Sequence, residues 1–264
     1  MKIAIIGTGN LGYSIALGIL SQKSFKFGNL YLTKRNIAPL STWEKLPNVK
    51  ISTDNKKAVQ FSDVIILAVQ PSQLPAVLEE IKGVINVKKH TIISVITGRK
   101  IHEIETVLGT EIAIIRSMPN TAISVGESMT CLSANQKGVG NIGLAKTIFN
   151  SLGKTLYIEE KLMQSATVIC ASGIAFWMRL IRATAQGAVQ LGFHADEAQE
   201  LAMQTCMGSA SLLLQSGNHP EQEIDKVTTP SGCTIEGLNE MEHQGLSSSI
   251  IKGLVTSFDK INQI

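Results

Sequence analysis

Lys2-Ile3-Ala4-Ile5-Ile6-Gly7-Thr8-Gly9-Asn10-Leu11-Gly12 opens the chain and decides the fold of its first half. Lys2–Ile6 is a short run rich in isoleucine, as expected of a buried strand. The six residues from Gly7 to Gly12 read GxGxxG. Alone that pattern is weak. Between a strand and a helix it is a dinucleotide-binding fingerprint. Gly7 makes the tight turn, Gly9 lets backbone approach a pyrophosphate, and Gly12 lets the helix pack close to the strand. The pyrophosphate then sits on free N–H groups at the helix N-terminus, near Thr8, Asn10 and Leu11.

Outward from this loop, strand-like and helix-like stretches alternate. Asn10–Ser24 reads as a helix with Leu11, Ile15, Leu17, Ile19 and Leu20 on its apolar side. Leu30–Thr33 and Val49–Ser52 read as strands, and Lys56–Phe61 as a short helix. Asp63–Ala68 is DVIILA, a continuous apolar run, as in a strand buried on both faces. Pro71 opens a helix where proline is tolerated. Thr91–Ile96 and Ile112–Arg116 are strands about a helix at Ile101–Leu108. Weaker strands at Ser124–Leu132 and Thr155–Ile158 flank a helix near 140–152. Such alternation predicts an α/β Rossmann domain, a doubly wound, mostly parallel sheet, over residues 1–158.

The nucleotide is read at the end of the second strand. An NAD enzyme places an acid about 20 residues past the glycines, on the ribose 2′-OH. Here the residues are Thr33-Lys34-Arg35-Asn36, two bases and no acid. Arg35 can clamp a 2′-phosphate in bidentate fashion, with Lys34 or Thr33 assisting. NADPH is therefore expected, with NADH as the weaker donor. Ala68, Val69, Gln70 and Pro71 lie just past the DVIILA strand, and Thr97 just past the next, where open α/β sheets bind ligands. Asn55 is either a further cofactor contact or the N-cap of the helix after it.

From residue 159 the alternation stops. Leu162–Cys170, Ile174–Leu191, Ala195–Gln215, Thr234–His243 and Ser247–Gln263 read as helices, giving an all-α domain over residues 159–264. Arg179 and Arg182 are the only Lys, Arg, Asp or Glu between Leu162 and Ala195. A helix apolar nearly all round is a buried helix, and so small a domain has little interior to hide it. Packing against a second copy follows: a homodimer through the C-terminal helices. Met203, Met207, Met241 and Leu212–Leu214 read as core.

Composition sets the remaining limits. The chain has 264 residues, 44% of them hydrophobic and 17% charged, with a net charge of +3. That excludes a disordered, collagenous or disulfide-scaffold chain. The charge is too small to argue for a nucleic-acid surface. Cys131, Cys170, Cys206 and Cys233 form no CxxC and no Cys/His cluster, so no metal site or disulfide framework is expected. Free, mostly buried thiols in a reducing cytosol are expected instead. The apolar run at the N-terminus stops at Gly7, too early for a targeting segment. Leu162–Met178 is interrupted by Gln164, Ser165, Thr167 and Ser172 and falls short of the roughly 20 apolar residues that span a bilayer. A soluble, cytoplasmic protein with no membrane partner is expected.

Several longer segments resemble one family. GTGNLG at 7–12, LAVQPSQL at 67–74, RSMPNTAISVGESMT at 116–130, the stretch 190–222 and VTTPSGCTIEGLNEMEHQG at 227–245 are similar to pyrroline-5-carboxylate reductases. The MPNT…VG and TPSGCTIEGL segments are the specific ones. The resemblance implies hydride transfer from NAD(P)H to the C=N carbon of a cyclic imine, giving L-proline in the last step of proline biosynthesis. It implies a helical domain that dimerises, often within larger assemblies. The imine, once protonated, is already a good hydride acceptor, so the protein has to bind and position it. The loop Thr229-Pro230-Ser231-Gly232-Cys233-Thr234 runs into a helix. Exposed N–H groups at Gly232, Cys233 and Thr234 can hold the substrate carboxylate. The resemblance gives the Thr234 hydroxyl a hydrogen bond to the ring nitrogen and a share in the proton path. The alternative is an ordinary helix start capped by Thr or Ser.

The chain departs from the family pattern around that site. SPGGTT is TPSGCT, with Ser231 in place of a glycine, which matters where the backbone needs positive φ. GSGPAY is Ala171–Phe176, two acids of the following helix are Arg182 and Gln186, AVKP has Gln70 for lysine, and AG is Thr97-Gly98. Two other functions therefore stay open: a related NAD(P)H-dependent imine or 2-oxo acid reductase, and a non-catalytic NADPH-binding regulatory paralogue. None of His90, His102, His194, His219 and His243 neighbours a Cys or acid at ligand spacing, and none is assigned a role. His219-Pro220 reads as a helix-ending turn.

Overall fold

The computed structural model describes residues 1–21 and 28–261. The strands are β1 (Lys2–Ile6), β2 (Asn29–Thr33), β3 (Val49–Ser52), β4 (Val64–Leu67), β5 (Thr91–Ser94), β6 (Ala113–Met118), β7 (Ser128–Ala134) and β8 (Gly153–Tyr157). They form one sheet in the order β3-β2-β1-β4-β5-β6-β7-β8. Every neighbouring pair is parallel except β6 with β7. Helices α1 (Asn10–Ser21), α2 (Asn55–Phe61), α3 (Leu74–Lys82), α4 (Ile101–Leu108) and α5 (Ile142–Asn150) cover it. Side chains alternate across β1: Ile3 and Ile5 join Ile15, Ile19 and Phe149 in one core, while Ile6 joins Val59, Leu78 and Ile104 in the other. Two separate cores, one on each face, are what a doubly wound sheet requires.

Several boundaries differ from the sequence reading. Residues 22–24 of the first helix and 262–263 of the last lie outside the described residues. Leu17 is exposed, because Ile15, Ala16 and Ile19 take the inward stripe of α1. Pro71 opens a single 3₁₀ turn, Pro71–Gln73, and α3 begins only at Leu74. Ser124 and Val125 are not strand: Thr121–Val125 is a 3₁₀ turn. The Asn120 side chain caps it by accepting from the Ala122 N–H, and Gly126 ends it at φ +79°. The strand therefore begins at Ser128.

Met1–Ala171 together with Lys260 and Ile261 form one compact unit and Ser172–Asp259 a second. In the first, a helical run follows the sheet: α6 (Met163–Ala166), then a π-helical turn at Thr167–Ser172. The second holds α7 (Gly173–Gln190), α8 (Ala195–Ser216), α9 (Pro220–Val227), α10 (Cys233–His243) and all but the last two residues of α11 (Leu246–Ile261). Small residues let α7 and α8 approach closely, with Ala185, Ala198 and Ala202 buried between them. Helix α9 is an addition to the sequence reading. His219 starts it rather than ending one: its Nδ1 accepts from the Glu221 N–H, and the Gln222 side chain accepts from the His219 N–H. Proline at the first helical position suits that start.

Within a single chain α7 is largely uncovered, as expected of an apolar helix that so small a domain cannot hide. Only Gly173 and Ala185 of α7 are buried, and Trp177 is 61% exposed. Met203, Met207, Leu212, Leu214 and Met241 are likewise exposed rather than core. These helices carry apolar side chains on faces that this chain does not cover. The uninterrupted helical run Glu160–Gln190 is also long and apolar enough to cross a membrane by length and composition, against the sequence estimate. That estimate stopped at Met178, whereas the helix continues twelve residues further.

Candidate functional site: a nucleotide cleft and an uncapped helix start

The strand order reverses between β1 and β4, and open α/β sheets bind ligands at the carboxyl edge of that reversal. A cleft of about 770 Å³ lies there. Gly7, Thr8 and Gly9 line it from the loop after β1, and Thr33, Lys34 and Arg35 from the end of β2. Asn55 lines it from α2, and Ala68, Val69 and Gln70 from the end of β4. Asn10, Leu11, Gly12, Pro71 and Thr97 do not line it. Asn10 and Leu11 form the first turn of α1, where N–H groups have no intrahelical partner.

The glycines do separate jobs. Gly7 sits at φ +93°, and a Cβ there would lie 2.7 Å from Val69 Cγ1. A Cβ on Gly12 would run into the Gly7 carbonyl. Gly9 has nothing within 4 Å of its Cβ position, so its backbone stands open to the cleft. An open glycine beside unpartnered helix amides fits a pyrophosphate. The loop is moored to β2: the Thr33 carbonyl accepts from the Gly7 and Thr8 N–H groups and from the Thr8 hydroxyl.

Two assignments need correction. Thr33 is buried and its hydroxyl donates to Asn55 Oδ1 at 2.7 Å, so it does not assist Arg35. Asn55 is not an N-cap. Asp54 takes that place, its carboxylate accepting from the Lys57 N–H at 3.0 Å, which holds Asp54 below the usual aspartate pKa. The sequence reading missed Asn36, Thr53, Ser72, Gln73 and Glu80 in the cleft wall. Glu80 enters the wall because α3 starts at Leu74, which no local motif announces. Lys34 is half-buried and Arg35 exposed, and neither forms a salt bridge among the described residues.

Two residues of the RSMPNT segment tie neighbouring elements together. Arg116 is buried in β6 and reaches Glu160 at 3.4 Å, while Glu160 also accepts from the Ile101 N–H at 2.7 Å. Burial lowers the Arg116 pKa and Glu160 opposes the shift. Asn120 donates to the Cys170 carbonyl at 3.0 Å, tying the end of β6 to the π-helical turn. All four cysteines are free, but they are less hidden than expected. Cys131 is buried beside Cys170, whose thiol, together with burial, pushes the Cys131 thiol well above its ordinary pKa. Cys233 is exposed, because it is the first residue of α10. No group of three or more His, Cys, Asp or Glu among the described residues could hold a metal.

In the second unit, Thr229–Gly232 form a tight turn closed by the Gly232 N–H on the Thr229 carbonyl at 2.9 Å. Pro230 is second in that turn and Ser231 third, at φ +56°. A positive φ at the third position is where glycine normally stands. Ser231 is the one non-glycine residue with positive φ among the described residues. Replacing it by glycine is expected to stabilise the protein by about 0.5–1 kcal/mol, the relief of left-handed strain exceeding the entropy cost. Thermal unfolding checks this: Tm should rise by about 1–4 °C, and an unchanged or lowered Tm removes the strain.

The turn changes the proposed anion hole. The Gly232 N–H is consumed by it, leaving the amides of Cys233 and Thr234 at the start of α10. Gly232 is the N-cap and has no side chain to offer them, so the helix is not capped by Thr or Ser. Thr234 is half-buried, with no side-chain hydrogen bond among the described residues. Thr229 and Ser231 are exposed and shape the turn.

A glycine-rich turn at the reversal of a doubly wound sheet, with two cations beyond β2, defines a Rossmann dinucleotide-binding protein. A family model described as pyrroline-5-carboxylate reductase dimerisation matches residues 160–264. Another, described as NADP oxidoreductase, coenzyme F420-dependent, matches residues 2–98. Pyrroline-5-carboxylate reductase 2 of Dictyostelium discoideum is 42% identical over 98% of this chain and 91% of its own length. Reductase 1 of that organism is 45% identical over 98% of this chain, which spans about half, 49%, of that relative's length. The Synechocystis enzyme is 32% identical over 100% of this chain and 98% of its own. Among solved structures, the Plasmodium falciparum pyrroline carboxylate reductase with NADP bound has a TM-score of 0.88 at 26% identity, covering 100% of this chain and 97% of that one. The Coxiella burnetii reductase has a TM-score of 0.90 at 29% identity, covering 99% and 97%. The chain belongs to the pyrroline-5-carboxylate reductase family.

Proposed function

We propose that this protein reduces 1-pyrroline-5-carboxylate to L-proline, with NADPH as the hydride donor and NADH as the weaker one. Family membership over nearly the whole chain carries the reading. The division of labour is a nucleotide-binding domain over residues 1–158 and a substrate-binding and dimerisation domain over 159–264. NADPH, when bound, supplies the hydride to the C=N carbon. The glycine loop holds its pyrophosphate through the free amides of Gly9, Asn10 and Leu11, and Lys34 with Arg35 holds its 2′-phosphate. The open amides of Cys233 and Thr234 hold the substrate carboxylate at the positive end of the α10 dipole. The Thr234 hydroxyl hydrogen-bonds the ring nitrogen, donating to the lone pair that appears there as the hydride arrives. The enzyme works as a cytoplasmic homodimer, possessing in Trp177, Met178 and Leu214 an exposed apolar surface suited to a second copy.

Purified protein is expected to oxidise NADPH with DL-1-pyrroline-5-carboxylate, followed by the loss of reduced-nicotinamide absorbance, and NADH more slowly. Turnover only with other imines or with 2-oxo acids would make it a related reductase. NADPH binding without any turnover would make it a regulatory paralogue.

A further inference from the structure

Glu80, on α3, has no part in the reading above, yet it lines the same cleft as Lys34 and Arg35. Its Oε2 accepts from Asn55 Nδ2 at 2.8 Å, and Asn55 Oδ1 accepts from the Thr33 hydroxyl at 2.7 Å. This chain of bonds ties β2, α2 and α3 together at one end of the cleft. Its direction is forced. A carboxylate only accepts, so Asn55 must turn its amide nitrogen toward Glu80 and its oxygen toward Thr33. Left over are the second N–H of Asn55 and Oε1 of Glu80, which makes no other hydrogen bond among the described residues. One donor beside one acceptor complements a sugar hydroxyl.

The cleft therefore carries two opposed instructions. Lys34 and Arg35 favour a phosphate on the ribose. A carboxylate repels a phosphate dianion and accepts from a free hydroxyl. NAD enzymes place such an acid at the end of the second strand. Here cations occupy that place, and the acid comes from α3 instead.

We infer that Glu80 is a specificity-determining residue, whose charge restrains the affinity for NADPH and keeps NADH usable. This rests on the cleft being the NADPH site. Glu80→Gln tests it, because glutamine keeps an oxygen for Asn55 and removes the charge. The ratio of the Kd for NADH to that for NADPH, from calorimetric titration of the protein with each nucleotide, is expected to rise about fivefold, and the ratio of kcat/KM for NADPH to that for NADH with it, the scale of an exposed charge pair. The rise should shrink as salt is added, since exposed charges are screened. Damage to packing would move both nucleotides together and leave the ratio alone. A ratio within about twofold of the parent's at low salt overturns the assignment. Arg35→Ala, measured alongside, separates the failures. If it still weakens NADPH selectively, only Glu80's role falls. If it does not, the placement of NADPH in the cleft falls as well.

Discussion

Arg35→Ala is expected to raise the KM for NADPH about tenfold to a hundredfold while changing that for NADH little. The two nucleotides differ only in the 2′-phosphate, so the comparison isolates that group. A guanidinium presents two parallel N–H donors to a phosphate, and hydrogen bonds to charged groups contribute about 1.5–3 kcal/mol. Arg35 lines the cleft and is exposed, which argues for the lower half of that range. Lys34, half-buried beside it, retains part of the attraction as a point charge. With Thr33 spent on Asn55, no hydroxyl compensates at that position. The loss belongs in KM rather than kcat, because the adenosine phosphate is remote from hydride transfer and acts in ground and transition state alike. Initial rates against each nucleotide at saturating imine decide it. An equal rise in both KM values would mean that Arg35 shapes the loop and clamps no phosphate.

How much of this was legible in the sequence follows from how local each feature is. The fingerprint and DVIILA could be read directly, because a parallel strand buried on both faces leaves a continuous apolar run. The absence of an acid after β2 could be read too, being a fixed distance from the glycines. The contacts of Thr33 and Asn55 could not. They depend on α2 and β2 meeting side by side, which no spacing along the chain encodes. Glu80 was hidden for the same reason: it enters the cleft only because the 3₁₀ turn at Pro71–Gln73 sets the register of α3. The helices of residues 162–193 were read as apolar and as covered by a second copy, whereas Met203, Met207, Met241 and Leu212–Leu214 were read as core and most of them are exposed. Periodicity reports that a face must be covered, and a single sequence does not say by which copy. Ser231 lies between these cases. The departure from glycine was visible, but its cost appeared only with φ +56°.

Thr234→Ala is expected to lower kcat about a hundredfold, some 2.7 kcal/mol of transition-state stabilisation. The substitution removes a hydroxyl and leaves the backbone N–H groups of Cys233 and Thr234 in place. Substrate should therefore still bind by its carboxylate, and KM for the imine should move less than kcat. The ring nitrogen changes from a cationic iminium to an amine during reduction, so a hydrogen bond there acts mainly in the transition state. The hydroxyl is available for that work. Gly232, not a side chain, caps α10, and the Thr234 oxygen makes no other hydrogen bond among the described residues. Misfolding cannot account for a loss, because alanine is a better helix former than threonine. NADPH binding should be unchanged, since Thr234 does not line the nucleotide cleft. Thr234→Ser keeps the oxygen and should keep most of the activity. Full turnover by the alanine variant would take the hydroxyl out of the mechanism and leave the α10 amides as the whole of this chain's contribution from that loop.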